Sequence, residues 1–539
     1  MANALLINKA DNVVVLLEDA KAGETVTING TSDSYIALED IGKGHKMAIS
    51  SIKKEEEVVK FGIEIGPMTE DVEVGGWISE HNLKNDALKR GEEARQRVRE
   101  SVRTIMAYPR EDGRFGIRNY VMVIATSPDC NATAEAISDA TGCVWMVCDR
   151  PHLEEGRVSA YTRMALGYTG CNPNVHSVLL LKADGEKTTA DYVYNIIKET
   201  RKPLRYFNIT AAGDAAVQEG IEIVKEFQAV AEAQKREPFP IEGLTIAMHN
   251  NGSDWTTAII GNPVVGKAVD MLVKDGAYVL FPGSSGILCG LEDRMAEKFA
   301  KRSDALKMLD RVEDERESML KRIGRPVEYE QPNRVNIVEG ITTLIEKGYY
   351  TLTSRGETPI QGFLSYCERP PHSGQWNNTI ENGLPPTSAI YGSLQGAHMH
   401  VFTSSVGYLY YEIPHMVGIR VTGNEDTFNT KEFKMDFNAF DAMRDGIPET
   451  GEKLYEFLLD VAQGKIDTTS EENKQKVFHM WYYIPIAFYE GSDRSKSPPF
   501  YNAMEAAERR FGKGFTGTGN NSLSTNYAEA VKLYTDRVK

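Results

Sequence analysis

Short runs in which apolar and polar positions alternate fill the first 85 residues: NVVVLL, ETVTI, YIALED, HKMAISSI and EVVKFGIEIG, separated by Gly, Asn and Asp. A period of two turns one face of each run toward a core, so the pattern predicts a small, mostly β module over 1–85. The texture then changes. The stretch LKRGEEARQRVRESVRTIMA is charged and free of proline, which predicts a solvated helical linker over 86–107.

From Tyr108 onward, apolar strands (YVMVIAT, VWMVC, SVLLLKA) alternate with helical stretches (ADYVYNIIKETR, GIEIVKEFQAVAEAQKRE). Such alternation predicts an α/β module with a mostly parallel sheet over 108–238, closing at EPFP. The pattern restarts with LTIAMHNNGSD, GNPVVGKAVDMLVKDG and AYVLFPGSSG, predicting a second, Rossmann-like α/β module over 239–465. The aromatic cluster FHMWYYIPIAFYE then opens a C-terminal extension over 466–539. The expected fold is therefore multidomain, a β-rich N-terminal module followed by two α/β modules. One sequence leaves open whether the two α/β regions are related.

Composition narrows the partners. A chain of 539 residues exceeds what one core organises and suits roughly three domains. The net charge of −16, from 61 basic and 77 acidic residues, argues against nucleic acid or an anionic membrane surface, since both demand a basic face. The expected partners are a small-molecule acid met by a local basic pocket, and further copies of the chain in a homo-oligomer. Six cysteines without a CxxC pair read as reduced thiols of a cytoplasmic protein. The start carries no signal-like pattern, and no run of about 18 apolar residues occurs.

Candidate chemistry gathers at the ends of the predicted strands. In YPREDGRFGIRNY, Arg114 and Arg118 stand beside glycines before a strand, where guanidinium and backbone groups could cradle an anion; a turn with two surface arginines is the competing reading. Asn131 enters a helix after that strand, as an anion site or a plain N-cap. His152 and Arg157 follow VWMVC, and Asn172 and Asn174 precede SVLLL. HNNGSDWTTAIIGNPVVG collects His249, Asn250, Asn251, Ser253, Asp254 and Asn262, amide, hydroxyl and carboxylate groups suited to a polyol or hydroxy acid. In the β module, His45 and Lys46 head one strand while His81 and Asn82 close the module; the imidazoles suit acid–base work or metal ligation. FPGSSG is no dinucleotide fingerprint and GxxxxGK[ST] is absent, so no nucleotide cofactor is expected.

Taken in order, these landmarks resemble the altronate and galactarate dehydratase family, which includes sulfolactate sulfo-lyase. Gly44, His45, Lys46, Ala48, His81 and Asn82 match the G-H-K-x-A strand and closing His-Asn of its SAF-type β domain. Gly113, Arg114, Gly116, Arg118 and Asn119 match its G-R-x-G-x-R-N signature, Cys130–Ala134 its C-N-A-T-A turn, and Asn172–Val175 its N-P-N-V. Gly252–Asp254 and Asn262–Gly266 match its G-S-D and N-P-x-x-G segments, and Glu339–Gly348, which carries Thr342, resembles its G-G-L-T-T-x-E-E-K loop.

The resemblance implies a lyase that dehydrates a sugar acid or small hydroxy acid to a 2-keto-3-deoxy product. Alternatives are a sulfo-lyase releasing sulfite from a sulfonated hydroxy acid, or a non-catalytic sugar-acid binder. Elimination needs groups to hold the carboxylate, a base for the α-proton, an acid for the leaving oxygen, and stabilisation of the enolate-like charge. Implied for the chemistry are His45, Lys46 and His81. Implied for substrate binding are Arg114, Arg118, Asn119, Asn131, His152, Arg157, Asn172, Asn174, Asn251, Ser253, Asp254 and Thr342. A divalent ion (Fe2+, Mn2+ or Mg2+) is also implied, with His45, His81 and His152 as ligands. Where relatives carry cysteines, this chain has PHLEEGR and Asn250–Asn251, which removes the soft thiolates an iron site would use.

Overall fold

The computed structural model describes residues 2–86, 89, 102–148, 157–185, 189–250, 252–282, 290–323, 332, 334–365, 367–378, 385–405, 412–430 and 434–479. The chain divides into two compact units, 1–102 and 103–539.

The first unit is β-rich, as its alternation predicts. Strands β1 (Ala2–Leu5), β2 (Val13–Leu16), β3 (Thr25–Ile28), β4 (Ser34–Ile36), β5 (Lys46–Ala48) and β8 (Trp77–Ile78) form a sheet in the order β4-β3-β1-β2-β5-β8. Along β3, Val26 and Ile28 are buried and the threonines half-buried, the period of two that turns one face to a core with Ala4, Leu16 and Met47. EVVKFGIEIG is not one strand. It reverses into a hairpin of β6 (Glu57–Lys60) and β7 (Ile63–Pro67). Phe61 and Gly62 both take positive φ, 64° and 75°, the twist a two-residue hairpin favours, and Asp11 Oδ1 accepts from the Gly62 N–H at 2.7 Å.

The second unit opens with an antiparallel sheet of β9 (Thr104–Pro109), β10 (Phe115–Gly116) and β15 (Glu237–Pro240), in the order β10-β9-β15. Residues 104–107, expected to end the helical linker, are thus strand. Ile105 and Ala107 are buried while Thr104 and Met106 are exposed, an alternation that outweighs the charged sequence before it. EPFP tolerates its prolines because β15 lies at a sheet edge.

Two parallel sheets follow. β11 (Tyr120–Ala125), β12 (Val144–Met146), β13 (Val175–Lys182), β14 (Leu204–Asn208) and β23 (Val477–Phe478) run in the order β14-β13-β11-β12-β23. β16 (Thr245–Asn250), β17 (Tyr278–Phe281), β18 (Ile360–Leu364), β19 (Gly374–Asn378), β20 (Met399–Thr403), β21 (Val417–Thr422) and β22 (Phe437–Asn438) run in the order β18-β19-β17-β16-β20-β21-β22. In the first sheet the chain passes from β11 to β12 on one side and then crosses to β13 and β14 on the other; in the second, β17, β19 and β18 lie on one side of β16 and β20, β21 and β22 on the other, so the two strand orders differ. Residues 121–125 and 178–181 are buried without interruption, as expected of strands with helices on both faces. β23, within the expected extension, instead completes the first sheet beside β12.

Candidate functional site

Open parallel sheets bind ligands beyond the carboxyl ends of their strands, where the winding reverses. In the seven-stranded sheet that point lies between β16 and β20, where His249 stands opposite Phe402 and Asn250 opposite Thr403. The loop leaving β16 is tied across this crevice. Asp254 Oδ1 accepts from Thr256 Oγ1 at 2.7 Å and from the Thr257 N–H at 2.8 Å, and its Oδ2 accepts from Asn424 Nδ2 at 3.1 Å. With its proton on Asp254, Thr256 Oγ1 accepts from Ser405 Oγ at 2.8 Å. Loops from three strands are thereby locked together, which preorganises the crevice.

His249 is buried in this crevice. It is 7% exposed, and its ring stacks on Phe402 at 5.9 Å. Neither ring nitrogen finds a hydrogen-bond partner among the described residues. Burial pushes its pKa down to about 4, so at neutral pH it is an uncharged imidazole with one donor and one acceptor to offer. A buried amine stands in the neighbouring network: Lys347, from helix α1 (Leu344–Thr353), donates to Asn336 Oδ1 at 2.8 Å, and Asn336 Nδ2 donates to the Ser253 carbonyl at 2.8 Å. Burial brings the Lys347 pKa to about 7. The E-K of the later loop was visible in the sequence, but the burial that tunes it was not.

In the first unit, His45 and His81 flank one indole. Trp77 Nε1 donates to His45 Nδ1 at 3.2 Å, and the Trp77 and His81 rings lie 4.9 Å apart. Both imidazoles are exposed. Lys46 is partly buried, and desolvation, reinforced by Lys60, lowers its pKa. Asn82 closes the module structurally, accepting from the Ser79 N–H and donating to the Trp77 carbonyl.

Several predicted ligand-binding residues prove to hold the fold. Arg118 pairs with Glu471, Nε to Oε1 at 2.6 Å. Asn119 Nδ2 donates to the Ala231 carbonyl and Gln234 Oε1. Asn172 donates to the carbonyls of Ser393 and Ala397, and Asn174 to those of His398 and His415, so both stitch one α/β module to the other. They precede β13 and so sit at its amino end, away from the edge where ligands bind. Arg114 is held by Asp112 of its own turn and by the Cys171 carbonyl. Asn131 exchanges two bonds with the Cys148 backbone. Thr342 is exposed and bonded to Glu346 as part of a helix start. Asp254 serves the crevice as its organiser, its oxygens already engaged. His152, Asn251 and the Arg157 side chain lie outside the described residues.

The expected metal set is not assembled among the described residues, where no group of three or more His, Cys, Asp or Glu could hold an ion. The third expected ligand, His152, lies outside the described residues, and the His45 Nδ1 is engaged by the indole. A cavity of about 630 Å³ at the amino edge of the first parallel sheet is lined by Arg118, Tyr120, Glu412 and Glu471, among others. Its buried charges are mutually satisfied, with Glu412 paired to Arg420 at 2.7 Å, so the β16–β20 crevice is the better candidate.

Three consecutive stretches match family models: residues 2–86 the altronate/galactarate dehydratase SAF domain, 107–232 the second domain of D-galactarate dehydratase/altronate hydrolase, and 241–486 the C-terminal domain of D-galactarate/altronate dehydratase. Altronate dehydratase of Bacillus subtilis is 24% identical over 498 residues, covering 86% of this chain and 96% of the relative. The beta subunit of (2R)-sulfolactate sulfo-lyase from Chromohalobacter salexigens is 28% identical over 370 residues, 67% of this chain and 93% of the relative. The alpha subunit of the Paracoccus pantotrophus enzyme is 39% identical over 59 residues, 11% of this chain and 88% of the relative. With β-rich and parallel α/β parts in the family's order, the chain belongs to the galactarate/altronate dehydratase family and is an enzyme of the lyase class.

Proposed function

We propose that this chain removes water from a sugar acid, converting a 2,3-dihydroxy acid to its 2-keto-3-deoxy product. The observation that carries the reading is the β16–β20 crevice, where imidazole, amide and hydroxyl groups converge at a winding reversal, in a chain whose relatives include an altronate dehydratase. In this reaction a base takes the proton from C2, the C3 hydroxyl leaves with a proton as water, and the enol tautomerises to the ketone. His45 and His81 are the proposed acid–base pair. With Nδ1 accepting from Trp77, neutral His45 carries its proton on Nε2 and offers a donor to the leaving oxygen. Lys46 stabilises the developing negative charge. No step is assigned to a metal, because the described residues do not form its ligand set.

A screen of aldonates and aldarates for 2-keto acid formation, run without oxygen and with Fe2+, Mn2+ or Mg2+ supplied in turn, tests the reading. Keto product from a sugar acid supports it, and the ion that restores activity identifies any metal. The second reading, sulfite release from a sulfonated hydroxy acid, is favoured by the similarity of this chain to a beta and an alpha subunit of (2R)-sulfolactate sulfo-lyases. Sulfite from sulfolactate with no water loss from sugar acids would replace the first reading with the second. Homo-oligomeric assembly and a cytoplasmic location belong to the same proposal; no helix among the described residues is long and apolar enough to cross a membrane.

A further inference from the structure

Helix α1 is turned inside out. A helix that borders water faces it with charge and buries its apolar stripe. Here Lys347 is buried, while Ile345 and Tyr349, one helical turn apart on a single face, stand in solvent. The one carboxylate of the helix, Glu346, is taken by the Thr342 N–H and the Tyr350 hydroxyl, each at 2.9 Å.

The apolar face extends beyond the helix. Trp255, Ile259, Ile337, Val338, Ile345 and Tyr349 are between 47% and 73% exposed, and the backbone draws them together. The Trp255 N–H donates to the Glu339 carbonyl at 3.1 Å and the Gly340 N–H to the Ile337 carbonyl at 3.1 Å, and a Cβ on Gly340 would stand 3.7 Å from that of Trp255. Asn262 Nδ2 donates to the Tyr350 carbonyl at 2.9 Å, which holds the turn Thr257–Gly261, bearing Ile259, against α1. Single exposed apolar residues need no explanation, whereas a contiguous group does. About half bare, six side chains of this size leave roughly 600 Å² uncovered. That is most of the ~800 Å² each partner gives to a stable interface.

Two properties of the face select a second copy of this chain. Each copy carries a net charge of −16, so copies repel wherever carboxylates meet, and these six side chains are neutral. A two-fold contact is self-complementary, residue i meeting j of the partner while j meets i. Two residues spaced four apart on a helix satisfy this when two copies of α1 pack antiparallel, Ile345 on Tyr349 of the partner subunit and Tyr349 on Ile345 of the partner subunit. We infer that this face is the seat of a two-fold dimer built on α1, with Trp255, Ile337 and Val338 flanking the helix pair. The inference rests on the homo-oligomeric assembly proposed above and gives that assembly its face. Trp255 follows Asp254 in the loop tied across the β16–β20 crevice, so the partner rests on the crevice's own loop.

Sedimentation velocity of the natural protein should give an even number of chains. Ile345→Glu and Tyr349→Lys each put an unpaired charge into the apolar contact. Each should weaken association at least about 100-fold and halve the mass, with an unchanged melting temperature. An equal mixture of the two variants should regain the full mass, because the substituted positions face each other across the two-fold. Full mass in both variants overturns the inference and leaves homo-oligomerisation standing; a monomeric natural protein overturns both. A mixture that stays dissociated overturns the antiparallel pairing on which the inference is built. If either variant melts early, photocrosslinking through Tyr349→p-benzoylphenylalanine decides instead. A species of two chains joined within residues 337–349 supports the dimer, and a link inside one chain, to residues 480–539 or to any other segment, overturns it.

Discussion

Arg118 and Glu471, 353 residues apart, meet as a two-pronged pair, Nε to Oε1 at 2.6 Å and Nη2 to Oε2 at 3.0 Å. Their side chains are only 13% and 17% exposed, so the pair fastens the segment around 471 to the start of the first parallel sheet. Glu471→Ala would strand a buried guanidinium and should lower unfolding stability by about 3–5 kcal/mol. Denaturant melts of Glu471→Ala, Arg118→Leu and the double variant check this. The double should recover most of the loss, and KM should stay constant in all three. A raised KM in Arg118→Leu with an intact fold would return this residue to a substrate role.

Buried histidines set the acid limit of the fold. Desolvation lowers the pKa of His176, His249 and His398 to about 4 and of His415 to about 3, and holds His400 well below 6.5. Between about pH 6.5 and 4 the unfolded chain binds these protons and the folded chain does not, so stability is full above 6.5 and falls as the pH drops. Five such groups give a slope of about 7 kcal/mol per pH unit at most. Urea midpoints measured from pH 7.5 to 4.5 should show that decline, and a flat profile would contradict it. His398 adds a direct reason, since its Nδ1 accepts from the Thr245 N–H and its Nε2 donates to the Phe115 carbonyl.

His249 should trade stability for function. Replacing a buried ring whose nitrogens lack partners among the described residues with an apolar side chain of similar size removes a desolvation penalty of about 1–3 kcal/mol. His249→Leu is therefore expected to melt at or above the natural protein while kcat/KM on the sugar acid drops by about 100-fold or more. A variant that is as active as the natural protein would show that the crevice does not meet the substrate.

Trp77 orients His45 through one hydrogen bond. Trp77→Phe keeps the ring packing and removes the donor, freeing the imidazole tautomer. Loss of an orienting partner of this kind lowers activity about 10–100-fold. The drop should appear in kcat, with a shifted pH profile and an unchanged melting temperature. His45→Ala should exceed it, and parity between the two would assign Trp77 a role of its own.

Local pattern alone determined the architecture of this protein. Period-two runs specified the small β unit, and alternating strands and helices specified parallel α/β modules, because burial on one face or both leaves its mark residue by residue. The ordered G-H-K, G-R-x-G-x-R-N and G-S-D landmarks carried the family. Sequence marked His45 and His81, but their meeting across Trp77 depends on the pairing of β5 with β8. It failed where function depends on what a polar side chain meets across the chain. Arg118, Asn172 and Asn174 look like ligand groups until their distant partners, Glu471 and the carbonyls near 393–398 and 415, consume their donors. Arg355 and Lys347 look like ordinary helix-end cations until tertiary burial strips their water and lowers their pKa values. Hydrogen-bond satisfaction and desolvation belong to the assembled core, so only the folded structure could separate the residues that build the scaffold from those left free to bind.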